Sequence, residues 1–187
     1  MNKDNQRNII LVSGPVKSGK SVWAENILRN SDNVCYIATH NLIPGDIDWS
    51  DRIKIHKDRR PTHWKLLETN INISRDLGFL NKDTNLLIES LGGFVSSTLH
   101  FNSLEWKRAV SELLILTLTF NRKIVFVSEE VGWGVCPPTS QGNIFRERLS
   151  ELTSEVNNHA NEFWLVIHGK AFNMTTIGVP ISNIKRT

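Results

Sequence analysis

One short run of residues has the types and spacing needed to bind phosphate. Gly14 and Gly19 enclose four residues and are followed by Lys20 and Ser21, which matches the pattern G-x-x-x-x-G-K-[ST]. Glycines let the backbone fold tightly enough for successive N–H groups to point at phosphate oxygens. We expect Lys20 to reach the β- and γ-phosphates of a nucleotide and the Ser21 hydroxyl to bind Mg²⁺. The expected nucleotide contacts in this loop are Gly14, Pro15, Val16, Lys17, Ser18, Gly19, Lys20 and Ser21.

Two acidic positions follow apolar runs and could act on a bound nucleotide. Glu89 closes the run 85–89, and Glu130 follows the run 123–128 together with Glu129. An acid at the end of a strand can hold Mg²⁺, directly or through water, or accept a proton from a substrate hydroxyl. An N-cap or a solvated loop acid is the structural alternative. We predict that Ser21, Glu89 and Glu130 bind metal and that Lys20 and Glu89 are catalytic.

A basic segment further along the chain could carry a different chemistry. Arg52, His56, Arg59 and Arg60 stand at positions i, i+4, i+7 and i+8, so on a helix they share one face. A neutral imidazole can attack the α-phosphate of a nucleoside triphosphate while arginines stabilise the charge, which gives a phosphoramidate. A charged helix face exposed to solvent is the alternative.

The elements that must position these residues are indicated by apolar runs. Nearly continuous runs are typical of strands covered on both faces, and they occur at residues 9–12, 34–39, 64–68, 85–89, 123–128 and 162–169. Helical spacing occurs at 22–29, at 103–121 with Ser103 as its expected cap, and at 142–161. The alternation predicts an α/β fold, with a mainly parallel sheet and helices on both faces. Ligands in such folds bind beyond the carboxyl ends of the strands.

Composition limits the class of protein. The 187 residues are 40% hydrophobic and 22% charged, which suits one nucleotide-binding domain over residues 1–187, with 170–187 as a tail of uncertain role. The 22 basic and 19 acidic residues nearly balance, so we expect no nucleic-acid partner. The polar start and short first apolar run predict neither a signal peptide nor a membrane span, hence a cytoplasmic protein. Cys35 and Cys136 are expected to be free thiols.

Taken together, several segments resemble the bifunctional adenosylcobinamide kinase/adenosylcobinamide-phosphate guanylyltransferase family of cobalamin biosynthesis. The phosphate loop is generic, but R-I-x-x-H at 52–56 and E-V-G-x-G-x-x-P at 130–137, in that order, are specific. Other segments that carry the resemblance are Y-I-A-T at 36–39, R-P-x-x-W at 60–64, L-I-E-S-L-G at 87–92 and F-R-E-R-L at 145–149.

The resemblance implies a P-loop NTPase-like, RecA-like fold and two reactions that use Mg²⁺, GTP and ATP. The first is phosphorylation of the aminopropanol hydroxyl of a corrinoid, cobinamide. The second is transfer of GMP from GTP to that phosphate, with the guanylyl group carried on a histidine that maps to His56. The resemblance places further nucleotide contacts at Thr39, Lys57, Asp58, Arg59, Arg60, Glu68 and Glu89. It also implies a homo-oligomer, with a trimer as the expected form.

Two other functions remain open on the sequence alone. A P-loop kinase acting on another small alcohol would use the basic segment only to grip substrate phosphate. A nucleotide-gated binding module without turnover would keep the loop and release neither pyrophosphate nor GDP.

Overall fold

A computed structural model describes residues 7–40 and 59–181. Within these residues the strands are β1 (Asn8–Gly14), β2 (Val34–Ala38), β3 (Lys65–Glu68), β4 (Asn85–Glu89), β5 (Lys123–Glu129), β6 (Glu162–Ile167) and β7 (Lys170–Asn173). The helices are α1 (Lys20–Leu28), α2 (Ile73–Gly78), α3 (Leu91–Ser97), α4 (Ser103–Thr117), α5 (Ser140–His159) and α6 (Met174–Ile177).

The strands form one sheet in the order β3-β2-β4-β5-β1-β6-β7. All neighbouring pairs are parallel except β6 and β7, which are antiparallel. The carboxyl ends of the six parallel strands therefore meet at one edge, and the loop after β1 lies at that edge between the ends of β5 and β6. The predicted α/β fold with a mainly parallel sheet is confirmed.

β1, β2, β4 and β5 each contribute to two separate cores because successive side chains point to opposite faces. In β1, Ile10 and Val12 pack on the face that α1 covers with Ala24 and Leu28, which we call the α1 face. Ile9 and its alternate neighbours pack on the opposite face, beneath α2, α3, α4 and α5. Burial on both faces explains why the strand sequences are continuously apolar.

The predicted strand 162–169 extends two residues too far. β6 ends at Ile167, and His168 and Gly169 form a two-residue turn in which both have positive φ, 48° and 73°. Two such residues suit the turn that joins antiparallel strands. The first residues of the predicted tail therefore form an edge strand, β7, paired with β6.

The predicted cap of the long helix is also wrong by one residue. Asn102, not Ser103, caps α4: its side chain accepts hydrogen bonds from the N–H groups of Leu104 and Glu105, and the Glu105 side chain accepts one from the Asn102 N–H. This reciprocal arrangement is a capping box. α4 then ends at Thr117, before the predicted residue 121.

The prediction for the two cysteines holds. Cys35 is buried, Cys136 is exposed, and both are free thiols. Among the helices of the described residues, none has the length and apolar character required to cross a membrane.

Candidate active site

The loop between β1 and α1 adopts a conformation that its glycines make accessible. Gly19 has φ of 97°, a left-handed conformation that side-chain-bearing residues rarely adopt. A Cβ at Gly14 would collide with the Val166 carbonyl oxygen of β6. The Ser18 N–H donates to the Pro15 carbonyl at 3.2 Å, which closes the loop, while Val16 and Lys17 lie exposed at its tip.

Lys20 is held within this loop. Its side chain is buried, and Nζ lies 3.5 Å from the Pro15 carbonyl oxygen. Its backbone N–H lies 3.3 Å from Oγ of Ser18. Because Lys20 is also the first residue of α1, its ammonium group and the helix N-terminus add their positive charge at one place.

Ser21 and Glu89 join the loop to the neighbouring part of the sheet. The Ser21 hydroxyl donates a 2.8 Å hydrogen bond to Oε1 of Glu89 at the end of β4. Oε2 of Glu89 is buried and has no hydrogen-bond partner among the described residues. Burial raises the pKa of Glu89 to about 7, with a further contribution from the negative charge of Glu129, while the Ser21 hydroxyl and Lys20 oppose the shift.

Glu129, the last residue of β5, and Glu130, the residue after it, point to different faces of the sheet. Val125 and Val127 pack on the α1 face, so alternation places Glu129 on that face and Glu130 on the other. Glu130 accepts a 2.7 Å hydrogen bond from Ser13. Glu129 accepts hydrogen bonds from the Ser90 hydroxyl and the Gly92 N–H, at 2.5 and 3.1 Å. Of these two acids, Glu129 is the one whose negative charge raises the pKa of Glu89, to which Glu25 of α1 also contributes; the sequence-based candidates included neither Glu129 nor Glu25.

Thr39 and Glu68, two further candidates, lie at the same edge of the sheet. The buried Thr39 hydroxyl donates to the Ser90 carbonyl at 2.6 Å and accepts from the Ser90 N–H at 2.8 Å, so it braces the end of β2 against the segment after β4. Glu68 is exposed at the end of β3, and three strands lie between β3 and β1. The described contacts do not bring Glu68 to the phosphate loop.

Arg59 and Arg60 are the described members of the basic segment. Arg59 makes two parallel hydrogen bonds to Glu25 of α1, at 2.5 and 2.7 Å, and this pairing raises the pKa of Arg59. The Arg60 guanidinium lies over the Tyr36 ring, 4.9 Å from its centre. His56, Lys57 and Asp58 lie outside the described residues.

Sequence reasoning missed Glu25 and Glu129 for different reasons. Glu129 could have been found by counting alternate residues from Val125, because strand periodicity assigns it to the α1 face. Glu25 is 7% exposed and its partner lies 34 residues away. No local pattern reveals such a pair, although a buried glutamate is rare without a partner.

The fold and this loop define the chain as an α/β protein of the P-loop NTPase type. Among solved structures, it is similar to an ATPase from the type III secretion system of pathogenic bacteria, with a TM-score of 0.58 and 9% identity over 94% of this chain and 59% of that one. It is also similar to a Pyrococcus horikoshii OT3 protein, with a TM-score of 0.50 and 10% identity over 89% of this chain and 85% of that one. These likenesses concern the fold alone.

Residues 10–174 match the family described as cobinamide kinase / cobinamide phosphate guanyltransferase. The chain is 31% identical to the bifunctional adenosylcobalamin biosynthesis protein CobU of Salmonella typhimurium, over 86% of this chain and 96% of that protein. It is 30% identical to CobU of Escherichia coli K12, with the same coverage. The protein belongs to the cobinamide kinase / cobinamide phosphate guanyltransferase family.

Proposed function

We propose that this protein phosphorylates adenosylcobinamide and then transfers GMP from GTP to the adenosylcobinamide phosphate, through a guanylyl-histidine at His56. The products are adenosylcobinamide-GDP and pyrophosphate. The observation that carries this proposal is the meeting of Lys20, Ser21 and Glu89 at the phosphate loop of a chain that matches this family over residues 10–174. We further propose a cytoplasmic homo-oligomer, with a trimer as the expected form.

The residues around Glu89 suit a magnesium ion. Mg²⁺ in nucleotide sites is bound by one or two carboxylates or hydroxyls together with substrate phosphates. Ser21 supplies a hydroxyl, and Glu89 supplies a carboxylate whose Oε2 is buried without a partner among the described residues. Bound there, the ion would neutralise charge on the β- and γ-phosphates. The negative charge of Glu129 also raises the pKa of Glu89. Glu130, the other proposed metal ligand, accepts a hydrogen bond from Ser13.

In the kinase step, the corrinoid hydroxyl attacks the γ-phosphorus of ATP or GTP, and the bond from that phosphorus to the β–γ bridging oxygen breaks. Lys20 and the loop N–H groups stabilise the charge on the phosphates. The hydroxyl proton needs an acceptor. A carboxyl group whose pKa is about 7 is suited to take a proton at neutral pH, so Glu89 is the proposed base when it is not bound to metal.

In the transferase step, the His56 imidazole attacks the α-phosphorus of GTP, a P–N bond forms, and the bond to the α–β bridging oxygen breaks as pyrophosphate leaves. A phosphate oxygen of the corrinoid phosphate then attacks the same phosphorus and displaces the histidine. The guanidinium groups of Arg59 and Arg60 are proposed to stabilise the charge on phosphorus. Thr39, Lys57, Asp58 and Glu68 remain proposed nucleotide contacts.

The proposal is tested by chromatography and mass spectrometry of the corrinoid products after incubation with adenosylcobinamide, Mg²⁺ and either ATP or GTP. We expect cobinamide phosphate first and its GDP derivative second, with the second product only when GTP is present. Lys20→Ala should reduce both by about 100-fold or more, whereas Lys107→Ala, on the exposed surface of α4, should reduce neither. Accumulation of cobinamide phosphate alone would show kinase activity without transfer of GMP, and absence of both products would support a kinase of another alcohol or a binding module.

A further inference from the structure

The chain between β5 and α5 is fixed at both of its ends. At the start, the Glu130 N–H donates to the Gly14 carbonyl of the phosphate loop at 3.0 Å. At the end, the Asn143 side chain of α5 donates to the Pro137 carbonyl at 3.1 Å. The residues between these anchors, 132–136, form a short tip at the carboxyl edge of the sheet, which we call the β5 tip.

The β5 tip exposes two large apolar side chains. Trp133 is 63% exposed and Val135 is 95% exposed. Side chains in water add nothing to the stability of the fold, because the hydrophobic effect depends on their removal from water. Neighbouring exposed apolar residues beside polar ones are typical of interaction sites, and the carboxylates of Glu129 and Glu130 lie at the base of this tip.

Gly132 and Gly134, on either side of Trp133, are not required by the packing of the described residues. Neither has a positive φ. A Cβ at either position would have no atom of the described residues within 4 Å, its chain neighbours aside. Alanine at such a position would restrict the unfolded chain and so stabilise the protein. Glycine instead leaves both sides of the indole open, which suits the close approach of a ligand to the backbone.

The β5 tip lies where the acceptor of the phosphoryl group must be held. The attacking hydroxyl has to reach the γ-phosphorus in line with the bond that breaks, beside Glu89. Trp133 stands three residues after Glu130, a stretch that spans at most about 11 Å. In the order of the strands, β4 separates β5 from β2 and β3. The ends of β2 and β3, with Thr39 and Glu68, therefore remain for the nucleotide.

We propose that the β5 tip is the docking surface for the corrin macrocycle of the acceptor, with the Trp133 indole packed on the macrocycle and the two glycines admitting its edge. The proposal rests on the proposed function, because it takes the acceptor to be cobinamide. A corrin ring is broad, nearly flat and rich in methyl groups, so it gains stability on an exposed indole. Its aminopropanol arm then extends from the tip to the γ-phosphate. Cobinamide phosphate carries the same macrocycle, so the tip serves both reactions.

The test measures KM for adenosylcobinamide and kcat of the kinase step in the wild type, Trp133→Ala and Gly134→Leu. Alanine removes the indole, whereas leucine adds bulk where the described residues leave open space. We expect KM for adenosylcobinamide to rise by about tenfold or more in both variants. kcat and KM for ATP should stay near their wild-type values, because the reacting groups are untouched.

Two controls accompany these rates. The GMP adduct that GTP forms in the absence of a corrinoid should appear at the wild-type rate in both variants. Phe79→Ala is the matched variant: Phe79 is 83% exposed and follows α2 at the amino edge of the sheet, away from the tip. It should leave every value unchanged.

Three results would overturn the assignment of the β5 tip alone. A wild-type KM for adenosylcobinamide in both variants would show that the macrocycle docks elsewhere. A changed subunit count in Trp133→Ala, measured by light scattering, would show that the tip is a contact between copies of the chain. Loss of the GMP adduct in both variants would show that the substitutions disturb the nucleotide site. If the wild type phosphorylates no adenosylcobinamide, the proposed function itself fails, and measuring the wild type first distinguishes this result from the other three.

Discussion

The Ser21 hydroxyl and the Glu89 carboxylate are joined by a 2.8 Å hydrogen bond that connects the phosphate loop to the end of β4. The other carboxylate oxygen of Glu89 is buried without a partner among the described residues. Burying a carboxylate in this way disfavours its charged form, which is why its pKa lies near 7. The folded protein thus buries the Glu89 carboxylate, which lowers its stability, at the place where a nucleotide and its metal would bind.

Glu89→Gln should stabilise the nucleotide-free protein at alkaline pH. The folded-state pKa of about 7 lies above the ordinary value of 4.5, so the folded state retains a proton that the unfolded state has lost between these values. Wild-type stability therefore falls as pH rises through this window, by at most about 3 kcal/mol. Glutamine removes this penalty and can still accept the Ser21 hydrogen bond.

Urea unfolding measures the free energy of unfolding at about pH 5, near the lower end of this window, and at about pH 8, above it. The advantage of Glu89→Gln over wild type should be larger at the higher pH. Glu155→Gln, on the exposed surface of α5, should show no such dependence. An advantage of Glu89→Gln that is equal at both pH values would contradict a raised pKa.

Phosphoryl transfer should depend on the protonation of Glu89. Only the deprotonated carboxyl binds metal, so kcat/KM for the kinase step should rise with pH through a transition at or below about 7. More Mg²⁺ should move the transition to lower pH, because metal competes with the proton. Steady-state rates at several Mg²⁺ concentrations measure both effects. A transition that does not move with Mg²⁺ would argue against metal binding at Glu89.

The ion pair of Glu25 and Arg59 should contribute to stability through its two hydrogen bonds. Arg59→Lys cannot make two parallel N–H bonds to one carboxylate, so we expect a loss of about 1–2 kcal/mol in the free energy of unfolding. Glu25→Gln should cost a similar amount, and the double variant should cost less than the sum of the two. The exposed pair of Arg108 and Glu112 supplies the control: Arg108→Lys should leave stability unchanged. Additive losses at Glu25 and Arg59 would show that the two side chains are not coupled.

Asn102→Ala should destabilise α4 by about 1 kcal/mol, because it removes the acceptor of two N–H groups at the helix start. Ser103→Ala should have little effect. Thermal unfolding of the two variants compares their losses of stability. A larger loss in Ser103→Ala than in Asn102→Ala would show that Ser103 is the cap, as expected from the sequence.

How much the sequence predicts depends on whether a signal is local. The six apolar runs correspond to strands β1 to β6 because continuous burial leaves a clear pattern. The cap at Asn102 was misplaced because Asn and Ser both favour that position. The turn at His168 was missed because a histidine with positive φ is uncommon. The pair of Glu25 and Arg59 depends on tertiary structure, so no spacing rule indicates it.

The proposed function requires His56 to carry the guanylyl group. The most direct test is intact-protein mass spectrometry after incubation with GTP and Mg²⁺ at neutral or alkaline pH, without acid, because acid cleaves a phosphoramidate. We predict a mass gain of one GMP in the wild type and none in His56→Ala, with GTP binding retained in both. A wild-type protein that binds GTP and forms no adduct, or an adduct that persists in His56→Ala, would contradict a guanylyl-histidine at His56.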